Sequence, residues 1–126
     1  MIPIFLFFVM GCATSPSQPK LLYHYLDLND DGVQEEFVAE LDLCGTGGCE
    51  WRILNKQNSQ FLGAVFGKQV SIRILTVKKQ GYYRLRTYHK MGAFDGVVVE
   101  YEFHGKEYEE VFSKDISSEE YLKYFK

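Results

Sequence analysis

The sequence has no charged side chain before Lys20 and no apolar run long enough to cross a bilayer, which takes roughly 20 residues. No segment therefore reads as a membrane-spanning helix. Net charge is scarce too: −3 at pH 7 gives neither the basic footprint of a nucleic-acid partner nor an overall pull towards anionic lipid. There is no phosphate loop, no dinucleotide fingerprint and no Ser or Cys nucleophile marked by a glycine elbow. Nucleotide chemistry and nucleophilic hydrolysis thus leave no signature.

The N-terminus does contain a uniformly apolar segment, residues 2–10, followed by Gly11 and Cys12. It suits the h-region of a secretory signal peptide. A buried first strand is the alternative, but nothing polar alternates there to give it a solvent face. Val9-Met10-Gly11-Cys12 resembles the lipobox of bacterial lipoproteins, in which an apolar residue, a tolerant position and a small residue precede the lipidated cysteine. The resemblance implies a signal peptide over 1–11, lipidation of Cys12 and a mature protein held to the membrane by that lipid. It departs in having no Lys or Arg ahead of the apolar run. Ala13, rather than Asp, after the cysteine agrees with outer-membrane sorting, facing the periplasm, in a Gram-negative host. Residues 12–19 then form the lipidated cysteine and a flexible tether, because two prolines among small polar residues cannot bury enough surface to pack.

Residues 20–126 make one domain with enough apolar and aromatic side chains for a core. Period-2 alternation dominates, with Tyr, Val, Ile and Phe at the apolar positions, which is the pattern of half-buried strands. It predicts strands near 21–26, 35–43, 49–55, 60–66, 69–75, 82–89, 97–103 and 106–112. In the second, Phe37, Ala39, Leu41 and Leu43 share the core face. The fold class expected is mainly β: a single antiparallel domain, sandwich or open barrel, with a short C-terminal helix. That helix is signalled by Ser117-Ser118-Glu119-Glu120, a capping-box arrangement, followed by Tyr121, Leu122, Tyr124 and Phe125. So short a helix must dock to persist.

Charge constrains the last hairpin. If His104-Gly105 is a two-residue turn, Tyr101 faces Tyr108, but Glu102 opposes Glu107 and Glu100 opposes Glu109, which costs stability. A basic neighbour is needed, and Arg84 and Arg86 share one face of the 82–89 strand at the same spacing. The two faces are expected to adjoin; the alternative is that each is separately solvated.

With Cys12 lipidated, Cys44 and Cys49 remain as the free pair in an oxidising compartment, and they are expected to form a disulfide. A zinc site would need a second ligand pair, and a redox pair would lack the two-residue spacing that lowers a thiol's pKa. Core-face pairing of the two strands differs from Cys44–Cys49 closure by an odd residue, which a bulge in the glycine-rich loop would absorb.

Asp27-Leu28-Asn29-Asp30-Asp31-Gly32-Val33-Gln34-Glu35 sets side-chain oxygens at positions 1, 3, 5 and 9 with glycine at 6, a spacing that can aim alternate oxygens at a hard cation. An EF-hand would need a bidentate acid where Val38 stands. The segment instead resembles the strand-loop-strand calcium motif of FG-GAP and VCBS-type repeats, over about 20 residues from Tyr23 to Leu41, in a single copy. The resemblance nominates Asp27, Asn29, Asp31 and Glu35 by side chain, and Val33 by carbonyl, as calcium ligands. The alternative is a metal-free hairpin loop whose Asp and Asn side chains cap their own backbone.

Histidines 24, 89 and 104 read as strand or turn residues, and the many tyrosines as sheet packing. The expected function is a non-catalytic envelope lipoprotein, a β-rich binding or structural module stabilised by calcium, with a protein partner in the envelope. An inhibitor of a secreted hydrolase such as a lysozyme or peptidase, with loop 44–49 as its wedge, is the rival. An enzyme of another class comes third.

Overall fold

A computed structural model describes residues 18–125; the expected signal peptide 1–11, Cys12 and most of the expected tether lie outside the described residues. The alternation becomes β1 (Leu21–Leu26), β2 (Glu35–Glu40), β3 (Cys49–Leu54), β4 (Phe61–Gly67), β5 (Arg73–Lys79), β6 (Tyr82–Lys90), β7 (Asp95–His104) and β8 (Glu107–Ser117). A short helix, α1 (Tyr121–Phe125), follows. The strands form one eight-stranded sheet, ordered β1-β2-β3-β4-β8-β7-β6-β5, curled into a half-barrel. Of the two expected architectures it is the open barrel.

One neighbour pair departs from the antiparallel pattern: β4 meets β8 in parallel at Gly63↔Tyr108. Glycine is required there, since a Cβ on Gly63 would lie 2.7 Å from the Tyr108 amide nitrogen and its φ is +120°. Inside the curl, Phe37, Trp51, Ile53, Leu62, Val65, Leu85 and Val99 are buried. The Trp51 indole N–H donates to the Gly67 carbonyl at 3.1 Å, so the largest core side chain carries no orphaned donor.

Four sequence expectations are corrected. Leu41 and Leu43 leave the core face, exposed at 43% and 71%, because the chain turns at Leu41–Leu43 into a 3-10 helix. That turn takes up the residues separating the β2–β3 register from the Cys44–Cys49 closure, so no bulge is needed inside the glycine loop. Residues 69–75 are not one strand: Gln69–Ser71 is a 3-10 turn, where the Ser71 hydroxyl donates to the Tyr88 carbonyl and accepts from the Tyr88 N–H in place of a ladder partner. In the last hairpin the turn is Gly105-Lys106, with His104 opposite Glu107, Phe103 opposite Tyr108 and Glu102 opposite Glu109.

The like-charge ladder still finds its basic neighbour. Arg86 pairs with Glu100 across β6–β7, and Glu100 bridges both guanidinium groups, at 2.8 Å to Arg84 and 2.7 Å to Arg86. Arg84 also reaches Glu102 at 3.0 Å. Arg86 then donates to the Tyr124 carbonyl at 3.1 Å and lies over the Tyr124 ring, tying α1 to this face. The helix is capped as expected, Glu120 N–H donating to Ser117 Oγ and Ser117 N–H to the Glu120 carboxylate. Tyr121 and Phe125 dock on Tyr88 at centroid distances of 4.8 and 5.9 Å.

Because successive strands alternate in direction along the chain, their connections collect at two ends. Lys20, residues 41–48, 68–72, 91–94 and 117–120 share one, the tether end, joined by Leu41 N–H to Lys20 O, Lys90 N–H to Gly47 O and Ser118 N–H to Phe94 O. The opposite end carries 27–34, 55–60, 80–81 and 105–106, joined by Tyr83 N–H to Leu28 O and by Gly105 N–H to the Gln80 side chain.

Replacing Glu100 with Gln should destabilise the fold by about 2 kcal/mol, because two part-buried guanidinium groups lose their shared carboxylate. Lys79→Ala, which removes a half-exposed partner of Glu102 at 3.7 Å, should cost about 0.5 kcal/mol or less. Urea unfolding at pH 7 measures both.

Candidate functional site

The loop 27–35 closes on itself. Both oxygens of Asp27 accept backbone N–H bonds, from Asp30 and Gly32 at 2.9 Å and from Asp31 at 3.3 Å. Asp31 accepts from Val33 N–H at 2.9 Å. Asp30 and Gly32 take the left-handed conformations that make so tight a turn, with φ of 63° and 88°. Desolvation raises the Asp27 pKa, but the N–H groups of Gly32, Asp31 and Asp30 together outweigh it and hold the carboxyl below its ordinary range.

Glu35 stands apart from the other nominated ligands. It begins the inward face of β2, is 1% exposed, and accepts the Leu28 N–H at 2.7 Å. Burial pushes its pKa up, and the Asp31 and Asp27 charges push the same way. Asp27, Asn29, Asp31 and Val33 line the turn, and the Asn29 side-chain oxygen is buried without a hydrogen-bond partner. Among the described residues no three His, Cys, Asp or Glu side chains converge as a metal-holding group. Asp27 and Asp31 turn their oxygens to the backbone N–H groups of the turn itself, and Glu35 is committed to the Leu28 N–H in the core.

At the tether end Cys44 and Cys49 are bonded, with Cα atoms 4.3 Å apart. The loop is braced twice more: Gly45 and Gly48 exchange backbone hydrogen bonds of 2.9 and 3.2 Å, and Gly47 O accepts from Lys90 N–H. Thr46 is exposed at its tip.

His24 packs edge-on against Phe37, 5.7 Å between centroids, and burial, then the Arg73 charge, lowers its pKa. His89 lies against Phe66, 5.0 Å between centroids, and burial lowers its pKa also. His104 sits between Glu109 and Glu102 at 3.0 and 3.2 Å, and those hydrogen bonds raise its pKa. Among the described residues, no histidine hydrogen-bonds to a hydroxyl or thiol.

Two features escaped the sequence reading. The first is a groove of about 340 Å³ on the outward face of β2–β3–β4, with Val38, Leu43 and Phe66 as its apolar surface and Glu40, Glu50 and Arg52 around them. Alternation marks Val38, Glu40, Glu50 and Arg52 as solvent-facing but assigns Leu43 to the core, and the meeting of these side chains depends on the Val38↔Arg52↔Ala64 register and on the turn at Leu41–Leu43. The second is the exposed apolar connection Met91-Gly92-Ala93-Phe94, whose glycine signals only a turn. Compared with protein-family models, curated proteins and solved structures, the chain matches none.

Since the folded state holds the Glu35 proton to higher pH than the unfolded chain does, stability falls as pH rises from the unfolded pKa through the folded one. Glu35→Gln keeps an acceptor for Leu28 N–H and removes that loss. In chelator-treated buffer it should match wild type near pH 4 and exceed it increasingly towards pH 7 in urea-unfolding midpoint. Asp27→Asn should do the reverse, falling below wild type above the carboxylate range.

Proposed function

We propose that this protein is a lipid-anchored, non-catalytic envelope module whose outward β2–β3–β4 face binds a protein partner. The groove at Val38, Leu43 and Phe66 carries the reading, because apolar surface flanked by Glu40, Glu50 and Arg52 suits a partner that presents aliphatic and basic side chains. Anchoring at Cys12 rests on the lipobox resemblance. The tether then enters the domain at Lys20, beside β1. The rival, an inhibitor of a secreted hydrolase with 44–49 as its wedge, draws support from the triple bracing of that loop, since a rigid loop binds with little ordering cost.

Anchoring is tested by detergent-phase partition in a bacterial host. Wild type should enter the detergent phase, and Cys12→Ala should stay unprocessed and leave it. A photo-crosslinking residue at Val38 should then capture one partner that the same residue at Thr46 does not; capture from Thr46 alone favours the wedge.

Calcium at the far-end turn belongs to the proposal on the strength of the Asp27-Asn29-Asp31-Gly32 spacing and of the Asp31 and Asp27 charges that bear on the Glu35 carboxyl. With Glu35 in the core, the remaining oxygens suit a weak site, on the order of 10⁻⁴ to 10⁻³ M. Millimolar calcium should raise the melting temperature by a few degrees, and Asp31→Ala should abolish the rise. A curve indifferent to calcium and chelator leaves the self-capped turn as the whole description.

A further inference from the structure

We propose that the tether end of the half-barrel is itself a bilayer-docking surface, with Val70, Met91 and Phe94 seated among the lipid headgroups and upper acyl chains. This rests on the anchor reading of Cys12. These side chains are exposed at 72%, 67% and 79%, on two connections that the strand directions bring to one end. The connections are held in place by backbone: Lys68 N–H donates to Tyr88 O at 2.9 Å, Met91 N–H to Asp95 O at 3.1 Å and Ser118 N–H to Phe94 O at 2.8 Å. Their apolar tips are therefore presented without an ordering step.

The opposite end differs in kind. Among the described residues, its connections 27–34, 55–60, 80–81 and 105–106 expose no large hydrophobic side chain, and the first of them carries Asp27, Asp30 and Asp31. Lys20, Lys68 and Lys90 stand at the tether end together with Asp42, Asp95, Glu119 and Glu120, so apolar insertion and not charge is the attraction. The tether fixes the orientation. From Cys12 to Lys20 the chain spans at most about 28 Å, and it joins the domain at this same end. Once the lipid is inserted, contact between this end and the bilayer is intramolecular, so an attraction too weak to recruit the free domain suffices to hold it down.

The test uses the full lipidated chain in vesicles of phosphatidylethanolamine and phosphatidylglycerol whose acyl chains are brominated, with Phe94→Trp and, at the far end, Lys106→Trp. Trp51, buried in the core, is the common background. Both variants should float with the vesicles, and only the Phe94→Trp emission should shift to the blue and fall, to half or less of its value in unbrominated lipid. Met91→Trp, on the same connection, should behave as Phe94→Trp does. Flotation with all three unquenched overturns the docking and leaves the anchor standing. Failure to float overturns both.

Discussion

Where β4 runs out, its backbone at Gly67 presses against Thr87 and Tyr88 of β6, with no side chain of its own between them. A Cβ on Gly67 would lie 2.8 Å from the Thr87 Cβ and 2.9 Å from the Tyr88 carbonyl oxygen. The gap is closed by hydrogen bonds that need that proximity, Thr87 Oγ1 to Phe66 O at 2.7 Å and Lys68 N–H to Tyr88 O, while Trp51 Nε1 holds the Gly67 carbonyl from β3. Together with the β4–β8 contact at Gly63, this seam curls the sheet. An open, flat sheet of the same strands would leave Trp51 and Leu85 facing water; the curl gives them one shared interior.

The curl also sorts the surface into regions of distinct chemistry. Lys20, the disulfide loop and the Met91–Phe94 connection meet at one end, the acidic turn lies at the other, and the β2–β3–β4 groove occupies the side between them. A protein held at the membrane by its first end keeps the side groove open to partners and the acidic turn furthest from anionic lipid. In that proposed orientation loop 44–49 would face the bilayer, at odds with its use as an inhibitory wedge.

Much of the fold was legible because alternation reports directly on burial: Phe37, Ala39, Trp51, Ile53 and Leu85 lie on the inner face as their spacing implies. So was the Cys44–Cys49 bond, from composition and loop length, and the Arg84–Arg86 match to Glu100 and Glu102, from spacing and sign. What escaped depended on contacts between distant segments. Leu41 and Leu43 continue the alternation of β2, and only the need to bring Cys44 beside Cys49 takes them off the core face. Glu35 fits a ligand spacing and a strand start equally well; its place in the core follows from the register of β2, which the loop motif does not encode. Sequence patterns could not reveal the parallel β4–β8 contact either, since it joins residues far apart in the chain and its one local mark is the lack of a side chain at Gly63.

The seam at Gly67 is most directly tested by the urea-unfolding free energy of Gly67→Ala. Gly67 has no left-handed φ, so in open space the substitution would stabilise by about 0.4–1 kcal/mol through the unfolded chain. Overpacking against Thr87 and Tyr88 should instead destabilise by about 3 kcal/mol, with loss of the near-UV signal of Trp51. A Gly67→Ala protein as stable as wild type, or more so, with an unchanged Trp51 signal, would mean that the curl does not depend on this approach.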